Sequence, residues 1–252
     1  MKKILLALLI FTSLTLFSED LDNEFMDDDF GSEFEEEFET QAKVDFDPLS
    51  GYNRVMTVFN DSLFTYAVFP VAKVYVYIMP AIVIESVDDF FENLKYPVRL
   101  ANNLLQLKFV NSLEESGRFV LNSTIGLAGF FDPAEAWFDM KGHNEDFGQT
   151  LGHYGVGSGF HIVLPFFGPS NLRDAAALVV DWQIDPFFYQ EGRSYNILTN
   201  SFWESIGLKS FEYFNKHSGN IEQYEMLKKD AIDLYPLIKD IYEQKREQEI
   251  AE

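Results

Sequence analysis

Residues 148–170 read GQTLGHYGVGSGFHIVLPFFGPS, with glycine at positions 148, 152, 155, 157, 159 and 168. Glycines at this density indicate backbone shapes or close approaches that a side chain would block. A phosphate-binding loop is not supported, because the stretch lacks both G-x-G-x-x-G and the G-K-[ST] ending of a P-loop. A nucleophile elbow is excluded, since Val156 and Phe160 flank Ser158 where glycines are required. The stretch predicts a structural loop, and we expect a branched residue at Gly157 to damage folding or function.

On both sides of this loop, apolar residues recur at helical spacing, and Gly, Pro and Asn separate the repeats. The pattern predicts helices over residues 52–67, 71–79, 86–93, 97–105, 109–123, 171–182, 195–214 and 223–248. Asn171 is the expected N-cap of the sixth helix, with Asp174 near the positive end of its dipole. The predicted fold class is therefore all-α.

The stretch 63–84 is strongly apolar and rich in aromatic residues, but Pro70, Lys73 and Pro80 interrupt it. A charge in the middle of a membrane is costly, and each proline breaks the helical hydrogen-bond ladder. These residues argue against a straight transmembrane span. Helices lying in the plane of a membrane interface and an ordinary buried helix pair both fit the pattern.

The charge of the chain is unevenly distributed. The net charge is -22, and residues 19–47 hold 14 acidic side chains and one basic side chain. About half of the acidity therefore lies in one segment, 19–46, which we predict to be a disordered acidic tether, with a transient helix as the alternative. An acidic chain has no electrostatic attraction for a nucleic-acid backbone, so nucleic-acid binding is not expected.

The N-terminus resembles a secretory signal. Lys2 and Lys3 precede an apolar segment, 4–17, that is too short to span a bilayer comfortably. We therefore expect a signal peptide at 1–18 that is cleaved near Ser18, with uncleaved retention as the alternative. The sequence contains no cysteine, which excludes disulfides, thiolate metal sites and an acylated cysteine within it.

No group of residues indicates catalysis. His143, His153 and His161 are ten and eight residues apart, which matches no helical zinc motif. No Ser, His and Asp set and no pair of carboxylates stands out. We predict no enzyme activity, no metal and no cofactor. Arg173 has two interpretations, a structural ion pair or a contact to a lipid phosphate.

Four blocks of sequence carry a family resemblance. They are DPLSGYNR at 47–54, FVLNSTIGLAGFFD at 119–132, DFGQTLGHYGVG at 146–157, and the set Leu164, Pro165, Gly168, Pro169, Ser170, Arg173 and Asp174. In this order they closely resemble the MlaA (VacJ) family of bacterial phospholipid-trafficking lipoproteins. Residues 230–246 are similar to the closing helix of the family, and we assign the helical domain to 47–248.

The resemblance implies a fold and a function. The expected fold is a ring of amphipathic helices in the inner leaflet of the outer membrane, on its periplasmic side. The expected function is non-catalytic passage of misplaced phospholipid from the outer leaflet through a central channel, which maintains lipid asymmetry. The implied partners are phospholipid, a trimeric outer-membrane porin and the soluble periplasmic carrier MlaC. Family members typically carry an acylated cysteine, and this sequence departs from them there.

The resemblance also selects residues. The lipid-path candidates are Asn53, Arg54, Asn60 and Arg173, with Asp174 or Asp132 as the alternative ion-pair partner of either arginine. The expected structural motif consists of Asp47, Pro48, Asn122, Gly126, Gly129, Asp132, Gly148, Gly152, Tyr154, Gly155, Gly157, Gly159, Pro165, Gly168 and Asp174.

Two other functions remain open. The first is a structural or porin-binding adaptor that keeps the fold without transport. The second is a phospholipase, which would need a nucleophile that the sequence does not display. Accumulation of outer-leaflet phospholipid in a deletion strain would support transport, whereas fatty acid released by the purified protein would support hydrolysis.

We predict that the mature protein begins near Glu19, is unacylated, and fractionates with the outer membrane. Lys2, Lys3 and the short apolar segment direct export, and the sequence offers no cysteine for acylation. Intact-mass spectrometry of the purified mature chain tests this prediction. Retention of residues 1–18, or release of the protein from membranes by salt alone, would contradict it.

Overall fold

The computed structural model describes residues 47–189, 191 and 199–252. The predicted signal peptide, 1–18, and the predicted acidic tether, 19–46, lie outside the described residues. The described chain is mostly helical, which confirms the predicted fold class, and one short β-hairpin is the exception.

The first long helix runs without a break through the aromatic stretch. It consists of α1 (Ser50–Leu63), one π-helical turn (Phe64–Val68) and α2 (Phe69–Ile78). The sequence predicts a break near Pro70, and that prediction is wrong. Pro70 lies at the start of α2, directly after the π-helical turn, where the altered hydrogen-bond spacing accommodates its missing N–H. The helix ends at Ile78 because Met79 is extended and Pro80 follows.

By length and composition, Ser50–Ile78 is the one helix among the described residues that is long and apolar enough to cross a membrane. Its 29 residues extend about 43 Å, against a hydrocarbon core of about 30 Å. Only 17% of its most apolar window is buried. This exposure argues against the buried helix pair and favours contact with lipid.

Three further helices follow in the predicted places: α3 (Ala81–Leu94), α4 (Tyr96–Leu105) and α5 (Phe109–Thr124). Two short helices, α6 (Pro133–Phe138) and α7 (Phe147–His153), lie outside the predicted ones. Each begins after an aspartate, Asp132 or Asp146, whose carboxylate accepts a hydrogen bond from the backbone N–H three residues later. The glycine-rich stretch therefore begins inside a helix.

The later part of that stretch forms a β-hairpin. Strand β1 (His161–Leu164) pairs antiparallel with β2 (Gly168–Asn171). His161 lies opposite Asn171, and Leu164 lies opposite Gly168. In the connection, Phe166 adopts the left-handed conformation with a φ of 70°. The hairpin packs against α1, so it is part of the helical core rather than a free loop.

Four helices complete the chain: α8 (Leu172–Ile184), α9 (Phe202–His217), α10 (Ile221–Asp230) and α11 (Leu234–Ala251). Asn171 caps α8 as predicted, because its side-chain oxygen accepts the Asp174 N–H at 2.8 Å. The start predicted at residue 195 lies outside the described residues. The single helix predicted over 223–248 is wrong: Ala231 is extended, and Asp233 caps a new helix.

A buried ion cluster joins α7, α8 and α11. Asp174 accepts hydrogen bonds from Arg173 and Arg246 at 2.8 Å each and from the Tyr242 hydroxyl at 2.6 Å. Arg246 also donates to Asp146, the N-cap of α7, at 2.8 Å. Burial would raise the pKa of Asp174, but the hydrogen bonds from the arginines and the tyrosine outweigh it and lower the pKa to about 2. The carboxylate is therefore charged at neutral pH, and the cluster connects three helices through Arg246.

Gly148 and Gly157 differ in their surroundings. A Cβ added at Gly148 would overlap the Asp174 carboxylate and lie 2.7 Å from a guanidinium nitrogen of Arg246. A Cβ added at Gly157 meets no atom within 4 Å, and Gly157 is not among the residues with positive φ. The expected backbone constraint at Gly157 is therefore wrong, and an effect of a branched residue there on function stays a prediction. The constraint in this stretch lies at Gly148, where the ion cluster approaches the backbone.

We predict that Gly148→Ala lowers the free energy of unfolding by about 1–3 kcal/mol, because the added methyl displaces the ion cluster. The matched control Gly157→Ala should change it by no more than about 0.5 kcal/mol. Thermal unfolding followed by circular dichroism in detergent measures both. Equal losses in the two variants would mean that the ion cluster does not explain the glycine at position 148.

Candidate functional site

The long helices bury polar side chains and expose apolar ones. In α5 the buried positions recur at helical spacing and are all polar: Ser112, Glu115, Arg118 and Asn122. On the remaining surface of α5, the large exposed side chains are apolar: Phe109, Val110, Leu113 and Val120. The amphipathic pattern of α5 is therefore reversed relative to a helix of a water-soluble domain.

The same reversal occurs in three other helices. Their buried residues are Asn53, Thr57 and Asn60 in α1, Arg99, Asn102 and Asn103 in α4, and Ser205, Glu212 and Asn215 in α9. In water, this arrangement would leave large apolar areas exposed. In a lipid environment the apolar surface is favourably solvated, and polar groups belong in the protein interior, where they can pair. The described helices thus have a polar interior and a lipid-compatible exterior.

An ion network fills part of this interior. Glu115 of α5 is fully buried and accepts a hydrogen bond from Arg99 of α4 at 2.7 Å. Arg99 also lies 3.4 Å from the carboxylate of Glu92 in α3. Burial would raise the pKa of Glu92, but the positive charges of Lys95 and Lys216 lower it to about 2. These buried charges therefore have partners of opposite sign, as a low-dielectric interior requires.

Two asparagines join α1 to the hairpin. Asn53 donates to the His161 carbonyl at 3.0 Å and accepts the Val163 N–H at 2.9 Å. Asn60, two turns later, donates to the Leu164 carbonyl at 3.0 Å and accepts the Phe166 N–H at 2.8 Å. Each amide directs its oxygen and an N–H group to the backbone of β1 or of the residues just after it. The hairpin therefore has a fixed position relative to α1.

A cavity of about 360 Å³ lies between α1, α2, the hairpin and helices α9 to α11. Part of its wall is polar and includes Thr57, Asn60, Asp61, Ser218 and Asn220. The rest is apolar or aromatic and includes Phe64, Phe69, Tyr224, Leu227 and Ile238. A second, wholly apolar groove of about 530 Å³ runs along α2, but it belongs to the lipid-compatible exterior. The cavity is the better candidate site because its mostly apolar wall also carries polar side chains.

The structure places the lipid-path candidates differently. Asn60 lines the cavity, whereas Asn53, Arg54 and Arg173 do not. Arg173 is 8% exposed and belongs to the ion cluster, where it pairs with Asp174. Its contacts agree with the structural interpretation of this arginine.

Arg54 has a different environment. Its side chain is half exposed, pairs with Asp233 at the start of α11 and lies over the ring of Tyr235, 5.3 Å from the centroid. Neither of the two expected aspartates contacts it: Asp174 pairs with Arg173 and Arg246, and Asp132 pairs with Arg118.

Most residues of the structural motif lie at helix ends and turns. Asp47 accepts hydrogen bonds from Asn53 and Tyr235 before α1, next to the exposed Pro48. Asn122 donates to Asp132 at 2.9 Å across the turn that contains Gly126 and Gly129. The remaining members lie in α7, at its end or in the hairpin region: Gly148, Gly152, Tyr154, Gly155, Gly157, Gly159, Pro165 and Gly168. Asp174 is the acceptor of the ion cluster.

The three histidines are not brought together. His143 contacts Glu114 at 2.6 Å, and the ring of His153 lies against Tyr154. His161 lies 3.3 Å from Glu243, and its ring contacts the rings of two tyrosines. Within the described ranges there is no group of three or more His, Asp or Glu residues that could hold a metal ion.

Several cavity and interior residues lie outside the predicted set. Asp61 and Tyr224 line the cavity, and Lys228 reaches Asp61 from α10. The polar stripe of α5 also lies outside that set, although its spacing is visible in the sequence. The spacing alone does not predict a buried stripe, because a polar stripe at helical spacing normally faces solvent. The surroundings of the helix determine whether the stripe faces solvent or the interior.

A polar interior, an apolar exterior and a cavity with both kinds of side chain define a helical protein whose outer surface is suited to contact with lipid. The profile of the family described as MlaA lipoprotein matches residues 45–249. The chain belongs to the MlaA lipoprotein family.

Relatives and a solved structure agree with this assignment. The intermembrane phospholipid transport system lipoprotein MlaA of Escherichia coli K12 is 31% identical over 205 residues, which cover 80% of this chain and 77% of that protein. An uncharacterized protein of Rickettsia prowazekii is 32% identical over 60% of this chain, and the match spans 61% of that protein. A structure reported as "Structural basis for maintenance of bacterial outer membrane lipid asymmetry" matches with a TM-score of 0.68 at 30% identity, covering 81% of this chain and 98% of that one.

We predict that Arg173→Gln lowers the melting temperature clearly, because it removes a buried, charge-assisted hydrogen bond that contributes about 2 kcal/mol. The exposed Arg54→Gln should melt like the parent, since exposed ion pairs contribute little. Melting temperature and outer-leaflet phospholipid are measured together for both variants. If Arg54→Gln melts normally but fails to clear outer-leaflet lipid, Arg54 belongs to the lipid path. If Arg173→Gln melts like the parent, the ion cluster does not stabilise the fold.

Proposed function

We propose that this protein removes misplaced phospholipid from the outer leaflet of the outer membrane and passes it toward the periplasm without catalysing a reaction. The observation that supports this proposal is the mixed cavity inside a protein of reversed polarity. The lipid-compatible exterior allows the protein to lie within a membrane. The cavity then provides an interior route on which a head group and acyl chains each meet matching surface.

The energetics of a lipid favour such a route. A phosphate head group cannot enter hydrocarbon without losing the hydrogen bonds of its water, which costs several kcal/mol or more. On one wall, the second amide N–H of Asn60, which the hairpin does not use, can replace part of that hydration. Acyl chains meanwhile contact the rings of Phe64 and Phe69 instead of water. Movement along this route needs a path rather than a nucleophile, which agrees with the absence of a catalytic motif in the sequence.

The names of the relatives support the proposal. The E. coli and Haemophilus influenzae proteins are called intermembrane phospholipid transport system lipoproteins, and the second is 29% identical over 79% of this chain. We extend that function to this chain, together with the location in the outer membrane. A ring-shaped arrangement in the inner leaflet, a trimeric porin partner and the carrier MlaC as acceptor are part of the same proposal.

Among the lipid-path candidates, we place Asn60 on the route because it lines the cavity. Asn53 binds the backbone at the start of the same hairpin, at His161. Arg173 pairs with Asp174 in α8, the helix that directly follows the hairpin. Both would act by holding the wall in place. Arg54, which is exposed at the start of the domain, would meet a head group only outside the cavity.

We predict that narrowing the cavity stops transport. Leu227 lines the cavity on α10, and its neighbour Met226 is 59% exposed and does not line it. In a deletion strain complemented with each variant, Leu227→Trp should leave outer-leaflet phospholipid at the level of the empty strain. Met226→Trp should restore it to the parental level.

The same experiment separates the alternatives. The parent must clear outer-leaflet phospholipid in the deletion strain, and failure at normal protein level would contradict transport. An adaptor without transport would tolerate both tryptophan variants, because it would pass no lipid through the cavity. Fatty acid released by the purified parent would indicate hydrolysis and contradict the non-catalytic proposal. Circular dichroism of both variants confirms that each is folded.

A further inference from the structure

An ion pair lies at the wall of the cavity between α1 and α10. The carboxylate of Asp61, on α1, lines the cavity, and its side chain is 17% exposed. Lys228, in the last turn of α10, donates to both of its oxygens at 2.8 and 2.7 Å. The lysine side chain is 40% exposed. One member of the pair is therefore sheltered in the cavity wall, whereas the other approaches it from the surface.

Asp61 has further donors that do not depend on Lys228. The Tyr224 hydroxyl donates to it at 3.1 Å, and the Thr65 hydroxyl lies 3.4 Å away. Burial and the charge of Asp61 both raise the pKa of Tyr224, so the tyrosine keeps its proton and remains a donor. The carboxylate would thus stay partly hydrogen-bonded if the lysine were replaced by another cation.

We propose that Asp61 and Lys228 form a head-group site that selects phospholipids with a primary amine, such as a phosphoethanolamine head group. The inference rests on the proposed function and names the lipid that the cavity prefers. The ammonium of the head group takes the place of Lys228 on Asp61, and the displaced lysine binds the phosphate. In this head group only two carbons separate the phosphate oxygen from the nitrogen, so a small shift of one flexible side chain suffices.

Charge balance accounts for the selectivity. A zwitterionic head group presents the same two charges as the ion pair that it opens, so neither Asp61 nor Lys228 is left without a partner. An anionic head group without an amine, such as phosphoglycerol, can bind Lys228 but leaves the sheltered carboxylate without its cation, which is costly. A quaternary ammonium, as in phosphocholine, has no N–H to donate to the carboxylate. Both lipids should therefore compete less well.

The test uses the full-length purified protein exchanged against vesicles that contain equal amounts of phosphatidylethanolamine, phosphatidylglycerol and phosphatidylcholine. The protein is re-isolated, and its bound lipids are quantified by mass spectrometry. The parent should be enriched in phosphatidylethanolamine on the order of tenfold over either competitor, as expected for one charge-assisted hydrogen bond. Bound lipid that mirrors the vesicle composition would overturn the proposal.

Variants assign the effect to the pair. Asp61→Asn should bring the bound lipid close to the vesicle composition, whereas Asp61→Glu keeps the carboxylate and should retain the preference. Lys228→Met should reduce the total lipid bound. Lys229→Met makes the same charge change on the same helix, at an exposed residue that does not line the cavity, and should bind like the parent. Persistent enrichment in a folded Asp61→Asn would contradict the assignment.

Two further outcomes are separable. Soluble phosphoethanolamine added at the lipid concentration should not displace the lipid, because it lacks the acyl chains that the apolar wall binds; displacement would assign the site to a free head group instead. The proposed transport is tested independently by complementation of the deletion strain. A parent that complements but binds all three lipids equally overturns only the head-group site. A parent that neither complements nor binds lipid overturns the proposed function itself.

Discussion

The structure depends on the pairing of buried polar side chains with one another. Helices α4 and α5 direct Arg99, Asn102 and Glu115 into the interior, where bulk water does not reach them. Each such group would cost several kcal/mol if it lost its partner, and a buried charge would cost more. Each helix is therefore restricted to the orientation in which its polar stripe meets the stripes of its neighbours. In this fold, polar contacts determine the positions of the helices, whereas apolar packing determines them in a soluble bundle.

The hairpin illustrates how this constraint extends to the cavity. Two amides of α1 bind the backbone of β1 and the residue two positions after it, and Asn171 at the end of β2 begins α8. The ion cluster around Asp174 then connects α8 to α7 and α11. The cavity wall that the hairpin provides is thus held from both ends by hydrogen bonds. A lipid passing along it would meet a wall of fixed shape on this side and a more peripheral helix, α10, on the other.

The sequence predicts the helices well and the inward direction of their polar faces poorly. Helices α3, α4 and α5 follow from apolar periodicity, and the cap at Asn171 follows from its local pattern. Periodicity alone cannot predict that Glu115 faces the interior, because the same spacing describes a surface helix. Helices α6 and α7 are too short to show a periodic pattern of apolar residues, and α7 is also rich in glycine. Their starts are nevertheless marked by the capping residues Asp132 and Asp146. Pro70 predicts a helix break that does not occur, because a π-helical turn before it accommodates the missing N–H. That turn has no sequence signature here. Contacts between distant segments, such as Asp61 with Lys228 or Arg54 with Asp233, depend on tertiary structure and leave no local trace.

The outward-facing side chains bear on how the protein is held in a membrane. The sequence contains no cysteine, so the lipid anchor of a lipoprotein has no attachment point within it. A single acyl chain gives only marginal membrane binding, with an association constant of about 10⁴ M⁻¹. Burying one large apolar side chain in hydrocarbon contributes about 1.5–3 kcal/mol. Tyr77, Leu113 and Trp203 are 90%, 74% and 79% exposed, and many other large apolar side chains of the described residues are exposed by more than a third. A handful of such side chains in lipid contributes as much as an acyl chain. The exterior that makes this fold unfavourable in water therefore favours its retention in a membrane. The paired polar interior is what allows the helices to turn their apolar side chains outward.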